Sequence, residues 1–227
     1  MREIVLDTET TGLDPFTGDR VVEIGAVELF NHMPTGNNYH QYINPERDMP
    51  AGAFAVHGLS AEFLSDKPVF ASIAQEFLDF VKDSRLIIHN ASFDMKFLNA
   101  ELEWCSHPQL PMRQSLDTLA IARKKFAGAQ NSLDALCRRF GIDNSSRTLH
   151  GALLDSEILA EVYLELIGGR QPDFALKVVQ SDQKNTVSGD YSPPTRPHPL
   201  KPKLTEEESA AHLAFIEALG GDTLWKN

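Results

Sequence analysis

The sequence predicts an α/β protein in which a mixed β-sheet is flanked by helices. Three strand-like segments come first, and helical and strand-like segments then alternate as far as a glycine pair at 168–169. This order is typical of a mixed sheet with helices packed on it. Of the 227 residues, 42% are hydrophobic, which suffices for one medium-sized domain with a core plus an appendage.

The first three strands are predicted within the opening 44 residues. Residues 3–9 form a short apolar run that ends near the breaker Gly12, which indicates the opening strand. Two further strands are predicted at 20–30 and 38–44. The segment 32–37 between them is rich in turn-forming residues, so we expect it to be their turn.

The rest of the domain is expected to alternate. A helix is predicted over 69–82, with Pro68 in its first turn. Next come a buried strand, a helix, a short strand, two helices stopped by Gly141, and a long last helix. The buried strand is predicted at 86–89, the helix at 94–102 and the short strand at 115–118. The two helices are predicted in the segment up to Phe140, and the last helix from Leu149 to the glycine pair.

Two acids lie at the end of the opening strand. Asp7 and Glu9 are two residues apart, so their side chains point to the same face. Two like charges so close raise each other's pKa unless a cation lies between them. Oxygen ligands suit Mg²⁺ or Mn²⁺ better than zinc. An isolated Asp-x-Glu pair is also compatible with two acids that merely face solvent.

Three more residues complete the pattern. Asp94 begins a predicted helix, where Asp is commonly an N-cap. Asp155 is placed inside the last helix, which disfavours Asp, and His150 at that helix's start. Four carboxylates and a histidine from distant parts of one domain predict a two-metal phosphodiesterase site. A histidine suits proton transfer there because its ordinary pKa is about 6.5.

The segments DTETTG, HNASFD and HGALLD resemble the three motifs of the DEDD exonuclease superfamily, in its subgroup with a histidine in the third motif. Longer runs, VVEIGAVEL, FAVHGLS, NSLDALCRRFGID and RTLHGALLDSEILAEVYLELIGG, are similar to the epsilon proofreading subunits of bacterial DNA polymerase III. The resemblance implies a ribonuclease H-like fold. It also implies a metal-dependent 3′→5′ exonuclease that releases 5′-monophosphates from a DNA 3′ end.

The resemblance also implies roles for single residues. Asp7, Glu9, Asp94 and Asp155 would hold two divalent metal ions, Mg²⁺ or Mn²⁺, and three of these acids, Asp7, Glu9 and Asp155, would also contact the substrate. His150 would be the general base that takes a proton from the attacking water.

Four further residues would bind the terminal nucleotide. Thr10 and His57 would contact the 3′ end and its sugar or phosphate, and Asn90 and Phe93 would line the pocket. Packing in the core is an equally open interpretation of Phe93. One position departs from the family pattern, because Gly52 stands where epsilon subunits carry a glutamate.

The chain is expected to have three parts: an exonuclease domain at 1–170, a flexible linker at 171–203 and a docking segment at 204–227. The linker is rich in proline and polar residues. The docking segment contains a capping box, Thr205 with Glu208, and an apolar face at Leu213, Ile216 and Leu219. By resemblance it would bind the catalytic alpha subunit of the polymerase; packing back on the exonuclease domain is the alternative.

Two more partners follow from the resemblance. Residues 171–176 are similar to the short peptides that insert into the bacterial sliding clamp, although a strap that closes the domain is an equally open interpretation. A further small core subunit is also expected. Two other functions stay open: a free-standing exonuclease acting on single-stranded DNA or small RNA, and a mainly structural polymerase subunit.

The charge of the chain is unusual for a DNA-binding protein. The net charge is −11, and the first 170 residues alone hold 15 Lys and Arg against 24 Asp and Glu, a balance of −9. Phosphate binding normally uses basic residues, so we expect weak DNA binding unless the enzyme is tethered to a polymerase. Neither a membrane span nor a signal peptide is indicated, and we expect a cytoplasmic protein.

Overall fold

The computed structural model describes residues 1–145, 149–168 and 205–219. The chain divides into two compact units, Met1–Ala175 and Leu176–Asn227. The expected linker and clamp peptide at 171–203 lie outside the described residues. In the parts of the chain that are described, no helix is long and apolar enough to cross a membrane.

A five-stranded mixed sheet forms the centre of the first unit. Its strands are β1 Arg2–Thr10, β2 Val21–Phe30, β3 Met33–Tyr42, β4 Arg85–Ile88 and β5 Ser115–Asp117. The spatial order is β3-β2-β1-β4-β5. β2 is antiparallel to β1 and β3, whereas β4 is parallel to β1 and β5. The predicted mixed sheet is confirmed.

Helices cover both faces of this sheet. They are α1 Ala51–His57, α2 Ala61–Leu64, α3 Phe70–Val81, α4 Ala91–Trp104, α5 Thr118–Lys125, α6 Leu133–Phe140 and α7 Ala152–Ile167. Alternate residues of β1 face opposite layers. Ile4 and Leu6 pack in the core that includes Phe77 of α3, whereas Val5 packs with Leu159 of α7.

The predicted turn at 32–37 was wrong. The hairpin between β2 and β3 turns at Asn31 and His32, whose φ angles are 50° and 66°. A two-residue turn with positive φ at both positions matches the twist of the flanking strands. Pro34 therefore lies inside β3, opposite Leu29, which is tolerated because β3 is an edge strand.

Two further local predictions need correction. Pro68 precedes α3 instead of occupying its first turn, because Val69 is the N-cap; the carbonyl of Pro68 accepts a hydrogen bond from the Asn44 backbone. The sequence analysis also missed α1 and α2. By contrast, Gly141 ends α6 with φ 69°, as predicted.

The second unit contains one described helix, α8 Glu206–Leu219. Its predicted capping box is confirmed, since the Glu208 backbone donates to Thr205 Oγ1 at 3.2 Å and the Thr205 backbone donates to Glu208 Oε2 at 2.9 Å. Leu213 and Phe215 are exposed.

Candidate active site

The candidate site lies at the carboxyl end of β1. This strand runs between antiparallel β2 and parallel β4, so its carboxyl end and that of β4 meet at the same edge of the sheet. Asp7 is partly exposed and Glu9 is buried. α4 starts directly after β4 and brings its first turn to the same edge.

Asp94 is anchored to the strand residue between these two acids. Its Oδ1 accepts hydrogen bonds from the Thr8 backbone at 3.1 Å and from Thr8 Oγ1 at 2.7 Å. The N-cap interpretation of Asp94 was wrong, because Asn90 holds that position and Asp94 lies in the first turn of α4. Burial raises the pKa of Asp94 to about 7, although the Thr8 hydrogen bonds oppose the shift.

The third motif is positioned by close packing of α7 on β2. A Cβ on Gly25 would lie 2.1 Å from the Ala152 backbone, so only glycine permits this approach. Ser156 Oγ also donates to the Gly25 carbonyl at 2.9 Å. This contact holds the first turn of α7, with the buried Asp155, against the sheet.

His150 lies before α7, in contrast to its predicted place at the helix start, and Gly151 is the N-cap. Asp155 is likewise not in the helix interior but in the first turn, where the helix dipole favours an acid. His150 Nδ1 is 3.4 Å from Asp155 Oδ2, and its ring is half exposed. The His150 backbone donates to the Val56 carbonyl of α1 at 3.2 Å.

The fold thus brings the predicted acids and the histidine together. Ligand atoms of Glu9, His150 and Asp155 all lie within 4.8 Å of one another. A cleft of about 230 Å³ is lined by Asp7, His150 and Asp155. Such a set of carboxylates with one imidazole suits a divalent cation. We call this opening the metal cleft.

A second cleft of about 490 Å³ borders Glu9 on its other side, and we call it the nucleotide cleft. It is mostly apolar. Its predicted members are Thr10, His57, Phe93 and the departing position Gly52; Leu13 and Val56 also line it. Phe93 additionally packs on Phe97, with ring centroids 5.0 Å apart, so its two interpretations are compatible.

His57 lines the nucleotide cleft, and a backbone hydrogen bond holds its ring. Its Nδ1 accepts a hydrogen bond from the Leu59 backbone at 3.0 Å, which leaves the proton on Nε2. Burial lowers the pKa of His57, a hydrogen bond with the Thr10 backbone opposes this shift, and His150 lowers the pKa further. The ring is 5% exposed, so the proton on Nε2 points into protein or substrate and not into bulk water.

Asn90 does not join the nucleotide cleft. Its side chain is exposed, and it lines a different opening together with Arg123. The sequence analysis also missed Leu13 and Val56. For Val56 a signal existed, since Gly58 ends α1 with φ 73° and marks the stop of a short helix.

The comparisons with known proteins agree with this architecture. Residues 4–163 match the RNase T exonuclease family. The chain is 50% identical over 222 residues to the DNA polymerase III subunit epsilon of Rickettsia felis, covering 96% of this chain and 97% of the relative. It is 44% identical over 237 residues to the subunit epsilon of Escherichia coli K12, covering 99% and 97%.

Solved structures show the same fold. The nuclease domain of 3′hExo, a DEDDh family member bound to rAMP, matches with a TM-score of 0.63 and 18% identity, covering 73% of this chain and 91% of that one. Exonuclease I matches with a TM-score of 0.65 and 18% identity, covering 73% and 40%. The chain therefore belongs to the RNase T exonuclease family and, within it, to the DNA polymerase III epsilon subunits.

Proposed function

We propose that this chain is the proofreading 3′→5′ exonuclease of a replicative DNA polymerase III, and that it removes terminal nucleotides as 5′-monophosphates. The observation that carries the proposal is the meeting of Asp7, Glu9, His150 and Asp155 beside a mostly apolar cleft. Epsilon-subunit relatives of nearly equal length support the same function.

The acids fit divalent metal ions. Asp94 is 3% exposed, and burial raises its pKa, so a bound cation would offset the cost of burying the ionised carboxylate. We assign the two ions to Asp7, Glu9, Asp94 and Asp155, with Mg²⁺ or Mn²⁺ favoured by the oxygen ligands. Bound ions supply charge stabilisation for the attacking and leaving oxygens of a phosphoryl displacement.

The remaining steps belong to the chain's own residues. His150 takes the proton of a water that attacks the terminal phosphorus, because its ring is half exposed and adjoins the acids. Asp155, 3.4 Å from His150 Nδ1, orients the ring. The water oxygen joins the phosphate as the bond from phosphorus to the neighbouring 3′-oxygen breaks. That oxygen takes up a proton from solvent and leaves as a hydroxyl, and His150 releases its proton to solvent.

The nucleotide cleft holds the nucleotide that is removed. Phe93, Val56 and Leu13 give it apolar walls, and a base can stack on an aromatic ring without sequence preference. Thr10 and the Nε2 proton of His57 supply polar contacts for the sugar or phosphate. Gly52 contributes no side chain, and nothing lies within 4 Å of the place where its Cβ would be. We therefore assign the contacts with the terminal 3′-hydroxyl to Thr10 and His57.

Partner binding belongs to the second unit. The name of the relatives, DNA polymerase III subunit epsilon, supports association with a DNA polymerase III. We assign the exonuclease domain to 1–170, a linker to 171–203 and the contact with the catalytic alpha subunit to 204–227, which includes α8. A sliding-clamp contact at 171–176, a further small core subunit and a cytoplasmic location complete the proposal.

The test is nucleotide release from a 3′-labelled single-stranded DNA in Mg²⁺ or Mn²⁺. We expect label to appear as monophosphate, and we expect Asp7→Ala and His150→Ala to abolish it. Glu76→Ala is the matched control, because this exposed acid of α3 lies outside both clefts. No release in either metal would leave a structural subunit as the function.

A second assay separates the polymerase role from a free-standing exonuclease. The chain that lacks 204–227 should release nucleotides at the same rate as the full chain but should lose binding to the catalytic alpha subunit. Retained binding would contradict the assignment of that segment, and would favour the free-standing enzyme if the full chain bound no alpha subunit either.

A further inference from the structure

A third opening adjoins the metal cleft. It has a volume of about 730 Å³, and the residues that matter here are His89, Asn90, Arg123, Gly128, Asn131 and Ser132. We call it the Arg123 cleft. His89 and Ser132 line both this opening and the metal cleft. A nucleic-acid strand that leaves the metal cleft past His89 therefore enters the Arg123 cleft directly.

His89 forms the fixed wall between the two openings. Its Nδ1 lies 2.9 Å from Thr118 Oγ1, and the ring also hydrogen-bonds to the Asn131 backbone. Burial lowers the pKa of His89, although the hydrogen bond to the Asn131 backbone opposes this shift. Because both nitrogens are used in holding the wall, His89 acts as a positioning residue.

The chemistry of the cleft suits a nucleic-acid strand. Arg123 is an exposed cation on its side, and Asn90 adds an exposed amide. Gly128 has φ 77° and open space around its Cα, so a phosphodiester chain can approach the loop closely. Cations bind phosphates, and amides bind base edges.

The neighbouring basic residues have other roles. Lys125 Nζ donates to the carbonyls of Glu165 and Leu166 at the end of α7. The Arg139 guanidinium stacks on Phe126, 4.3 Å from the ring centroid. Lys124 is exposed but does not line the cleft. Arg123 is therefore the basic residue of this group that faces the opening beside the metal cleft.

We propose that the Arg123 cleft holds the single-stranded DNA upstream of the terminal nucleotide, with Arg123 against a phosphate that is not cleaved. The inference rests on the proposed exonuclease function. The balance of −9 over residues 1–170 repels DNA, so one correctly placed cation has a large share in guiding the strand.

The test compares substrates of two lengths with the full chain in Mn²⁺. Arg123→Gln is measured on a dinucleotide, which ends before the Arg123 cleft, and on a dodecanucleotide, which fills it. We expect the KM for the dodecanucleotide to rise roughly three- to tenfold, and the plot of log KM against log salt to lose about 0.7 in slope. The kinetics on the dinucleotide should stay unchanged.

Two variants serve as controls. Lys124→Gln removes the same charge at the next position and should leave both substrates unaffected. Ala129→Asp puts an acid on the exposed loop of the cleft and should raise the dodecanucleotide KM at least as much as Arg123→Gln.

The outcomes separate this inference from the proposed function. Equal effects of Arg123→Gln on both lengths, or equal effects of Arg123→Gln and Lys124→Gln, would overturn the Arg123 cleft while the nuclease stands. No release from either substrate by the unchanged chain would overturn the nuclease itself.

Discussion

β1 carries acids near both of its ends, and the surroundings of the acids differ between the two ends. At the amino end, Glu3 is fully buried; Tyr163 donates to its Oε1 at 2.7 Å, and His32 Nδ1 lies 2.7 Å from its Oε2. At the carboxyl end, Asp7 and Glu9 meet Asp155 and His150. At the amino end Glu3 is held by the Tyr163 hydroxyl, whereas at the carboxyl end the acids adjoin another carboxylate and an imidazole.

Two buried acids of α4, Glu101 and Asp94, show a similar contrast. Glu101 is 1% exposed and accepts two hydrogen bonds from Arg20, each 2.8 Å, plus one from the Val21 backbone. Asp94, two helical turns earlier, is equally buried, has Thr8 as its donor and carries a raised pKa. A buried acid with a full set of donors is structural, whereas a buried acid among other acids is suited to a cation.

The largest effect on activity should come from neutralising a buried acid that lies among other acids. In Asp94→Asn we expect kcat to fall about a thousandfold, because the site loses charge that metal binding requires. The amide still accepts from Thr8, and burying it costs less than burying a carboxylate. The metal-free Tm at pH 8 should therefore rise, by roughly 2–4 °C for a gain of about 1 kcal/mol. Calorimetry measures the Tm and single-turnover assays measure the rate. A lowered Tm would contradict the view that Asp94 is buried at a cost to stability.

The second effect is the pH dependence of metal binding. Because burial raises the pKa of Asp94 in the folded state to about 7 from its ordinary value of 3.8, the folded state binds an extra proton between these two pH values. The metal-free protein should lose stability as the pH rises through that window. Saturating Mn²⁺, at about a hundred times its Kd, should add about 2.7 kcal/mol at pH 8 and much less at pH 5.5. Denaturant titrations with and without Mn²⁺ at the two pH values measure this stabilisation. A gain in stability that does not depend on pH would contradict the prediction.

Replacing a buried acid that has a full set of hydrogen-bond donors should lower stability and leave activity nearly unchanged. Glu101→Ala should lower the free energy of unfolding by about 2–3 kcal/mol, because Arg20 and the Val21 backbone lose their acceptor. The kcat per folded molecule should stay within about twofold, since Glu101 lies outside both clefts. Urea unfolding combined with active-site titration measures the two; a large loss of kcat would show that Glu101 belongs to the site.

The smallest effect should come from the amino end of β1. Tyr163→Phe removes the donor to Glu3 and should cost about 1–2 kcal/mol of stability, with activity unchanged. Burial and the hydrogen bond to Glu3 raise the pKa of Tyr163, so the hydroxyl stays protonated in the assay range. Ile167→Ala on the same helix, at an exposed position, is the control for helix changes.

Much of the fold and of the site was predictable. Short apolar runs located β1 and β4, and Gly141 located the end of α6, because these signals depend on a few neighbouring residues. The hairpin turn was missed, since the positive φ angles of Asn31 and His32 depend on how two strands pair. α1 was missed for a related reason: it is short and half exposed, so it has no strong apolar period.

The sequence alone predicted which residues would carry the chemistry, because three short motifs contain the four acids and the histidine. Only the tertiary structure decided which of them meet. Gly25 lets α7 approach β2 and brings Asp155 to Glu9, and the crossing of β4 beside β1 brings Asp94 to Thr8. It also placed Asn90 in the lining of the Arg123 cleft and not in the lining of the nucleotide cleft. Distances between remote segments depend on packing, which no short stretch of sequence encodes.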